Sequence, residues 1–410
     1  MTNKLSGVSA LCRIWVALSC AAFCLPSPSW AATDGTRLTL SELRVQRKKM
    51  AQRRRRIIYN NDGDDIGGHS RETPKGSKVD SAEALLAMRT REIVGSHVDS
   101  IFYHSTRGMK TYYGAGAFRT LYDFPNPKNP IPLQNGKALI ANTGEDALEI
   151  MVAFAHQHDL EIFYSNRMND IHDWFSPEML STIKSRHPEY TIGHALAKEG
   201  TSPAETLRGM QQGKGPSTSL NFALPVIRDL TVEAMRQVCR NYQVDGIDLD
   251  YFRSPALFPP PVGPAHAELL NDMMRKMRKM TEEEGLRRGR PILISARALI
   301  SAPYALRHGH DVTTWLREDL IDIVMPIHIG IVKRGSLRSL IALAHRHGAP
   351  AYPCLKEQWG RANWPLARGE ALYRFSEEAD GVTTFNCFDP AHPLWRELGD
   401  PEQLRQLPHQ

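Results

Sequence analysis

Eight short runs rich in Ile, Val, Phe and Tyr recur along the sequence, and segments of helical character lie between them. This alternation constrains the fold most, because strands linked through helices pair in parallel. The runs are Ile57-Ile58-Tyr59-Asn60, Val98 to Tyr103, Leu160 to Ser165, Gly246 to Asp250, Ile292 to Arg297, Ile321 to Pro326, Ala351 to Leu355 and Gly381 to Asn386. Helices are predicted at Val226–Tyr242, Pro264–Glu284, Ser336–His347 and Pro365–Glu378, with capping-box spacing at Asp80–Glu83 and Asn142–Glu145. Eight such units in one domain, residues 57–400, predict an α/β fold: a closed (β/α)8 TIM barrel rather than an open doubly wound sheet. No G-x-G-x-x-G follows the first strand, which excludes the usual dinucleotide reading. Successive strand starts lie 62 and 85 residues apart after strands two and three, where a minimal unit needs about 30. The surplus forms long loops on the C-terminal face, where barrel enzymes carry their sites.

The 410 residues are 41% hydrophobic and 23% charged, which excludes collagen-like, coiled-coil and disordered classes. Lys4 and Arg13 precede an apolar stretch from Ile14 to Leu25, and Ser29-Trp30-Ala31 suits cleavage after Ala31. Residues 1–31 are therefore expected to be a signal peptide and the protein to be exported, periplasmic or extracellular, with no membrane span in its mature form. Three cysteines follow: Cys239, Cys354 and Cys387. They read as three buried thiols, or as a Cys354–Cys387 bridge between neighbouring strands. Residues 32–56 carry nine Lys or Arg against Asp34 and Glu42, whereas the chain from 57 onward is net −3. The basic stretch reads as an arm before the domain, a solvated helix or tether, or a contact for an anionic surface. Export disfavours nucleic acid as its partner. Residues 401–410 read as a C-terminal tail.

The most informative segment is Tyr242 to Arg253, containing Asp245-Gly246-Ile247-Asp248-Leu249-Asp250. Side chains alternate along a strand, so if Ile247 and Leu249 face the outer helices, Asp248 and Asp250 face the barrel axis, about 6.6 Å apart. Inward carboxylates are costly unless paired or working, and their repulsion separates their pKa values. Arg297 is a candidate partner for Asp248. The loops after strands two and three carry His104-Ser105-Thr106-Arg107, Tyr112, Tyr113, Tyr122 and Arg167-Met168-Asn169-Asp170-Ile171-His172-Asp173-Trp174, and later loops add Trp359 and Trp364. Aromatic faces mixed with amide, carboxylate and guanidinium groups suit a polyhydroxylated ligand.

Val244 to Tyr251 resembles the fourth-strand motif of family 18 glycoside hydrolases. The wider run is closer to the family 10-like glycosyl hydrolases of bacteria, with Asn221, Pro225 to Asp229 and Tyr242 to Tyr251 in the expected order. Arg167-Met168-Asn169-Asp170 and His172-Asp173 resemble that group's third-strand signature. The resemblance covers most of 57–390 and implies a barrel acting on an oligosaccharide or polysaccharide. It departs at Phe252, where family 18 enzymes carry the glutamate that donates the proton. A second carboxylate is then needed from another strand end: Glu357 after strand seven, with Asp173, Asp62, Asp64 and Asp389 as alternatives. On this reading Asp250 is nucleophile or charge stabiliser, Glu357 the proton donor, and Asp248 with Arg297 sets the charge of Asp250. Tyr103, Arg167, Asn169, His172 and His328 hold sugar hydroxyls, and Asp170, Asp173, Arg253, Arg297, Trp359 and Asn386 complete the binding set. A non-catalytic glycan-binding barrel and a metal-dependent hydrolase are the alternatives.

No cofactor or metal is expected. Asp62-Gly63-Asp64-Asp65 lacks the twelve-residue calcium-loop spacing. His156-Gln157-His158 and His345-Arg346-His347 end helices on the opposite face, where histidine suits a helix C-terminus.

Overall fold

The computed structural model describes residues 38–70, 74, 76–124, 126–213, 217–327, 335–355 and 364–408. Seven parallel strands, β1 (Ile57–Asn61), β2 (Val98–Tyr103), β3 (Glu161–Arg167), β4 (Gly246–Asp250), β5 (Leu293–Leu299), β6 (Ile323–Ile327) and β7 (Val382–Thr383), pair in the order β6-β5-β4-β3-β2-β1-β7. The remaining stave is the segment 351–354, which bridges β6 through Val324↔Ala351 and β7 through Cys354↔Thr383, both parallel. It joins by single bridges because Pro350 and Pro353 have no N–H to give to a ladder. Tyr352 N and Cys354 N donate to Val324 O and Pro326 O, and Thr383 N donates to Pro353 O, at 2.8–3.1 Å. The ring is thereby a (β/α)8 barrel, with all eight staves where the sequence pattern put them.

Two sets of side chains alternate along the staves. Ile57, Tyr59, Ile101, Ile162, Ile247, Leu249, Ile294, Ala296 and Val324 belong to the main core under the helices. Ile58, Phe102, Phe163, Leu293, Ile323, Met325 and Tyr352 form a separate apolar cluster inside the barrel. Gly246 has a packing reason there: a Cβ would lie 2.2 Å from the Phe163 ring, which stacks on Phe102 at 4.4 Å.

A repeated carboxylate device pins the N-terminal end. Asp99, Asp245, Asp322 and Asp380 lie at the base of β2, β4, β6 and β7, and each accepts a backbone N–H from the preceding stave. The donors are Arg56, Ile162, Ile294 and Ala351, at 2.7–2.9 Å. Each carboxylate also meets a basic side chain. Arg56 binds Asp99, Arg290 and His156 bind Asp245, Arg47 and Arg278 bind Asp322, and His345 binds Asp380. His156 and His345 therefore close helix ends onto strand bases.

The basic stretch, as far as it is described, is part of this floor rather than a tether. Thr39 caps α1 (Leu40–Ala51) in a capping box with Glu42, and Leu43, Arg47 and Ala51 are buried. Arg44 pairs with Glu282 at 2.7 Å. Arg55 is wholly buried and binds both oxygens of Glu161, at 2.6 and 2.7 Å, and Ser100 donates to the same carboxylate. These charges are answered within the molecule, so a run that looked solvated is a plug. Likewise the presumed tail contains a helix, Pro401–Gln406, with Leu404 buried. The expected signal, 1–31, lies outside the described residues, and among those residues no helix is long and apolar enough to cross a membrane.

Two caps shift from expectation. Ser81, not Asp80, caps the helix Ala82–Arg89. Asn142 is inside the helix Ile131–Thr143, which ends at Gly144, and the capping box is Asp146 with Glu149 one turn later. Cys354 and Cys387 are free thiols and form no bridge. Cys354 joins an interior cluster with Ile327 and Phe385, whereas Cys387 packs against the outer core.

Removing one partner of a buried pair typically costs 3–5 kcal/mol. Arg55→Leu leaves Glu161 buried without its cation, and urea unfolding should show a loss of about 3–5 kcal/mol. Arg55→Leu/Glu161→Leu should recover most of it. A single variant within 1 kcal/mol of wild type would show that the plug is dispensable.

Candidate active site

Parallel register places polar side chains beside one another above the interior apolar cluster. Ser165, Asp248 and Ser295 are register partners on β3, β4 and β5. Both serine hydroxyls donate to the Asp248 carboxylate, at 2.7 and 2.9 Å, and Arg297 Nε donates at 2.8 Å. Asp248 has no exposed surface. Burial pushes its carboxyl up to about 6; Arg297 opposes that shift and the charge of Asp250 adds to it. Asp248 and Arg297 thus form an enclosed polar layer, and Arg297, expected at the ligand, lies beneath it.

One step nearer the mouth, Arg167, Asp250 and Arg297 are register partners across the same three strands. Asp250 faces inward as expected, but only 2% of it is exposed. Its Oδ1 accepts the backbone N–H groups of Phe252 and Arg253, at 2.9 and 3.3 Å, and its Oδ2 stands 3.8 Å from Arg297 Nη1. Asp250 therefore shapes the turn that carries Arg253. Phe252 meets Phe385 edge-on at 5.5 Å, in a cluster with Ile327 and Cys354.

The open side lies over β1–β3. A cleft of about 280 Å³ is lined by Asp62, Gly63, Asp64, His104, Arg107, Phe124, Arg167, Asp170, His172, Arg253, Asn386 and Phe388, among others. It gathers five of the expected binding residues: Arg167, Asp170, His172, Arg253 and Asn386. Four others lie elsewhere or beneath. Tyr103 has no exposed surface and faces the helices, donating to Asp65 at 3.0 Å, because its strand position is odd with respect to the interior set. Asn169 and Asp173 staple the second insertion. The former bonds Leu220 N and O and Ala256 O; the latter bonds Lys184 and Thr218. Arg297 is the fourth. Glu357, His328 and Trp359 lie outside the described residues.

The cleft's polar groups form a chain. Asp170 Oδ1 accepts His172 Nδ1–H at 2.7 Å and the His172 backbone N–H at 2.9 Å, and its Oδ2 accepts from Arg167 at 3.3 Å. Against the cost of burial, these partners hold the Asp170 carboxyl well below the usual range. Since Nδ1 donates, His172 Nε2 is the acceptor for Arg253 Nη2 at 2.9 Å. His104 donates from Nδ1 to Ser165 O at 2.8 Å, and burial lowers its pKa to about 3, so it is neutral at physiological pH.

Besides Asp170, the cleft's carboxylates come from the turn after β1. Gly63 has φ +77°, and a Cβ there would lie 1.7 Å from His104 O, so only glycine lets Asp62 and Asp64 flank so tight a turn. Asp62 is bound to Arg89, whose guanidinium lies 4.2 Å over the Phe388 ring. Asp64 is open to the cleft's solvent yet walled by protein. That enclosure, then the charge of Asp62, raises its carboxyl pKa against Arg89, Arg167 and Arg107. Asp65 is fully buried under the helices, and burial pushes it up to about 6. Sequence reasoning held Asp62 and Asp64 only as alternatives and kept no role for Arg89; the Asp-Gly-Asp spelling was the available signal. Among the expected loop aromatics, Tyr112 and Tyr122 are buried packing. Trp174 and Phe175 are 49% and 78% exposed and stack at 5.7 Å just after His172. Among the described residues, no three His, Cys, Asp or Glu side chains gather as a metal site.

A carboxyl whose pKa is higher folded than unfolded contributes its stability fully at low pH and loses it as pH rises through the folded value. For Asp65 the window runs from 3.8 to about 6, worth about 3 kcal/mol at 1.36 kcal/mol per unit. Unfolding free energies of wild type and Asp65→Asn, measured from pH 3.5 to 7.5, should therefore diverge in the variant's favour by about that amount as pH rises. A pH-independent difference would contradict the assignment.

No family model and no curated protein matches the sequence. Solved structures do, at low identity. An alpha-L-fucosidase isoenzyme 2 from Paenibacillus thiaminolyticus matches at 14% identity and TM-score 0.45, covering 86% of this chain, which spans about half (49%) of that one. A noncanonic maltogenic alpha-amylase, AmyB, from Thermotoga neapolitana matches at 12% and 0.43, covering 86% and 77% of the two chains. A family 18 N-acetylglucosaminidase from Paenibacillus barengoltzii matches at 12% and 0.42, covering 86% and 99%. At this distance none of them transfers a substrate or a catalytic residue to this chain.

Proposed function

We propose that this chain is an exported enzyme that hydrolyses glycosidic bonds, with Asp64 as proton donor and Asp62 as the second carboxylate. The observation that carries this is the pair on the β1 turn: a solvent-open carboxyl with a raised pKa beside a carboxylate bound to Arg89, both lining a polar cleft at the barrel mouth. A glycosidic oxygen leaves readily only when protonated, so its donor must keep a proton near working pH. The protein wall around Asp64 and the neighbouring charge of Asp62 both shift its carboxyl in that direction. Asp62 offers negative charge to the oxocarbenium-like sugar ring. Arg167, His172, His104 and Asn386 meet hydroxyls, and the exposed Trp174–Phe175 face suits the C–H face of a further sugar unit.

Asp250, the carboxylate favoured by the strand pattern, acts in this reading as a positioning residue through the Arg253 turn and Arg167. The β1-turn pair does not require Glu357. A second reading, a non-catalytic glycan-binding barrel, is favoured by Phe252, which stands where family 18 enzymes carry their donor and packs against Phe385.

Reducing-end release from a panel of polysaccharides tests the choice. Asp64→Asn should lower kcat by about 10²–10⁴-fold with the fold unchanged. Because the donor works protonated, wild-type activity should fall as pH rises above the Asp64 pKa. Asp250→Asn should act chiefly on KM. Glycan retention in an affinity gel with no reducing ends, unaffected by Asp64→Asn, would establish the binding module instead.

A further inference from the structure

We propose that the cleft selects an anionic glycan, and that Arg107 and Arg253 hold its carboxylate or sulfate group. This rests on reading the cleft as a glycan site and adds the substrate's charge.

Three consecutive strand ends each send one guanidinium to the cleft: Arg107 after β2, Arg167 at the end of β3 and Arg253 after β4. Their surroundings differ. Arg167 is answered by Asp170 at 3.3 Å, with Asp62 at 4.0 Å. Arg107 and Arg253 form no ion pair with any carboxylate among the described residues. Arg107 gives one Nη2 bond to Phe124 O at 3.1 Å. Arg253 gives one Nη2 bond to the neutral nitrogen of His172 at 2.9 Å and lies 5.6 Å from the centre of the Phe385 ring.

A guanidinium has five N–H donors in a planar fork, so each keeps most of its donors and its whole charge for something else. Both are half-buried. The chain answers its fully buried arginines with acids: Arg55 with Glu161, Arg47 and Arg278 with Asp322, Arg297 with Asp248. Half-buried Arg228 and Arg288, which have no carboxylate partner among the described residues, instead bond backbone carbonyls, Arg288 through three of its nitrogens. Arg107 and Arg253 differ in that both line one cleft, each with a single described hydrogen bond, and an oxyanion is the ligand group whose geometry two such forks match. Neutral hydroxyls need neither the charge nor the fork.

The proposed site also fits the chemistry beside it. Arg107 lies within electrostatic reach of Asp64 and lowers its pKa. An anion that neutralises Arg107 removes that influence, so binding of the charged sugar raises the pKa of the donor and favours its protonated form.

The full-length protein can be titrated calorimetrically at 0.15 M salt with three probes: a neutral dextran oligosaccharide, its sulfated counterpart and an oligogalacturonate. At least one charged probe should bind tenfold or more tightly than the neutral one, and which of the two does so identifies sulfate or carboxylate. Arg107→Gln and Arg253→Gln should each weaken the charged probe about tenfold while moving the neutral probe less than twofold. The Lys variants keep the charge without the fork and should fall between. Arg91→Gln, at an exposed arginine outside the cleft, should change nothing. Equal affinity for all probes, no binding to any, or a preference untouched by both Gln variants overturns the proposal. Charged-probe binding without reducing-end release keeps it and removes the hydrolase reading. Cleavage of neutral glycan without charge preference does the reverse.

Discussion

The barrel depends on carboxylates at the foot of every second stave. Asp99, Asp245, Asp322 and Asp380 each take a backbone N–H of the preceding stave and each binds a basic side chain. A strand start has backbone donors that the ladder does not reach, and leaving them buried and unpaired costs free energy comparable to a lost hydrogen bond. One carboxylate at each site satisfies such a donor, sets the register of two strands and anchors a helix or α1 to the base. The arginines of the N-terminal stretch belong to this device. Their charge is used at the floor, which leaves the opposite end for chemistry.

Register then carries order from floor to mouth. Because parallel partners stand side by side and every second residue faces inward, Ser165–Asp248–Ser295 forms one level and Arg167–Asp250–Arg297 the next. The lower level is closed: each Asp248 oxygen has a donor and nothing of it is exposed. The upper level is half open. Arg297 stays beneath, while Arg167 reaches the cleft and Asp250 turns the chain so that Arg253 reaches it as well. A closed polar layer thus lies beneath the groups that line the cleft.

The alternation of patterns made the staves legible in the sequence, and the surplus after strands two and three marked the functional face. Inward Asp248 and Asp250 were legible too, since side-chain alternation alone decides that. Exposure was not. Whether an inward carboxylate meets solvent depends on what the neighbouring loops do, and no local pattern announces that Asp250 is almost wholly buried. Tyr103 was misplaced by one position of alternation. Asn169 and Asp173 have the same polar spelling as ligand-binding residues, yet they satisfy backbone and Lys184 inside the insertion. The basic run at 44–56 looked solvated because its partners are remote in sequence: Asp99 lies 43 residues from Arg56, and Glu161, Glu282, Asp319 and Asp322 lie more than a hundred away.

Among the described residues, the carboxylates at the mouth differ in exposure. Ile327, Cys354, Phe385 and Phe252 pack together as one apolar cluster. On the β1–β3 side, the Asp62-Gly63-Asp64 turn leans onto the end of β2, and the cleft opens between it and the two long insertions. A ligand in that cleft therefore lies off the barrel axis and meets the β1 turn first. Asp64 lines that cleft, whereas Asp250 is almost wholly buried.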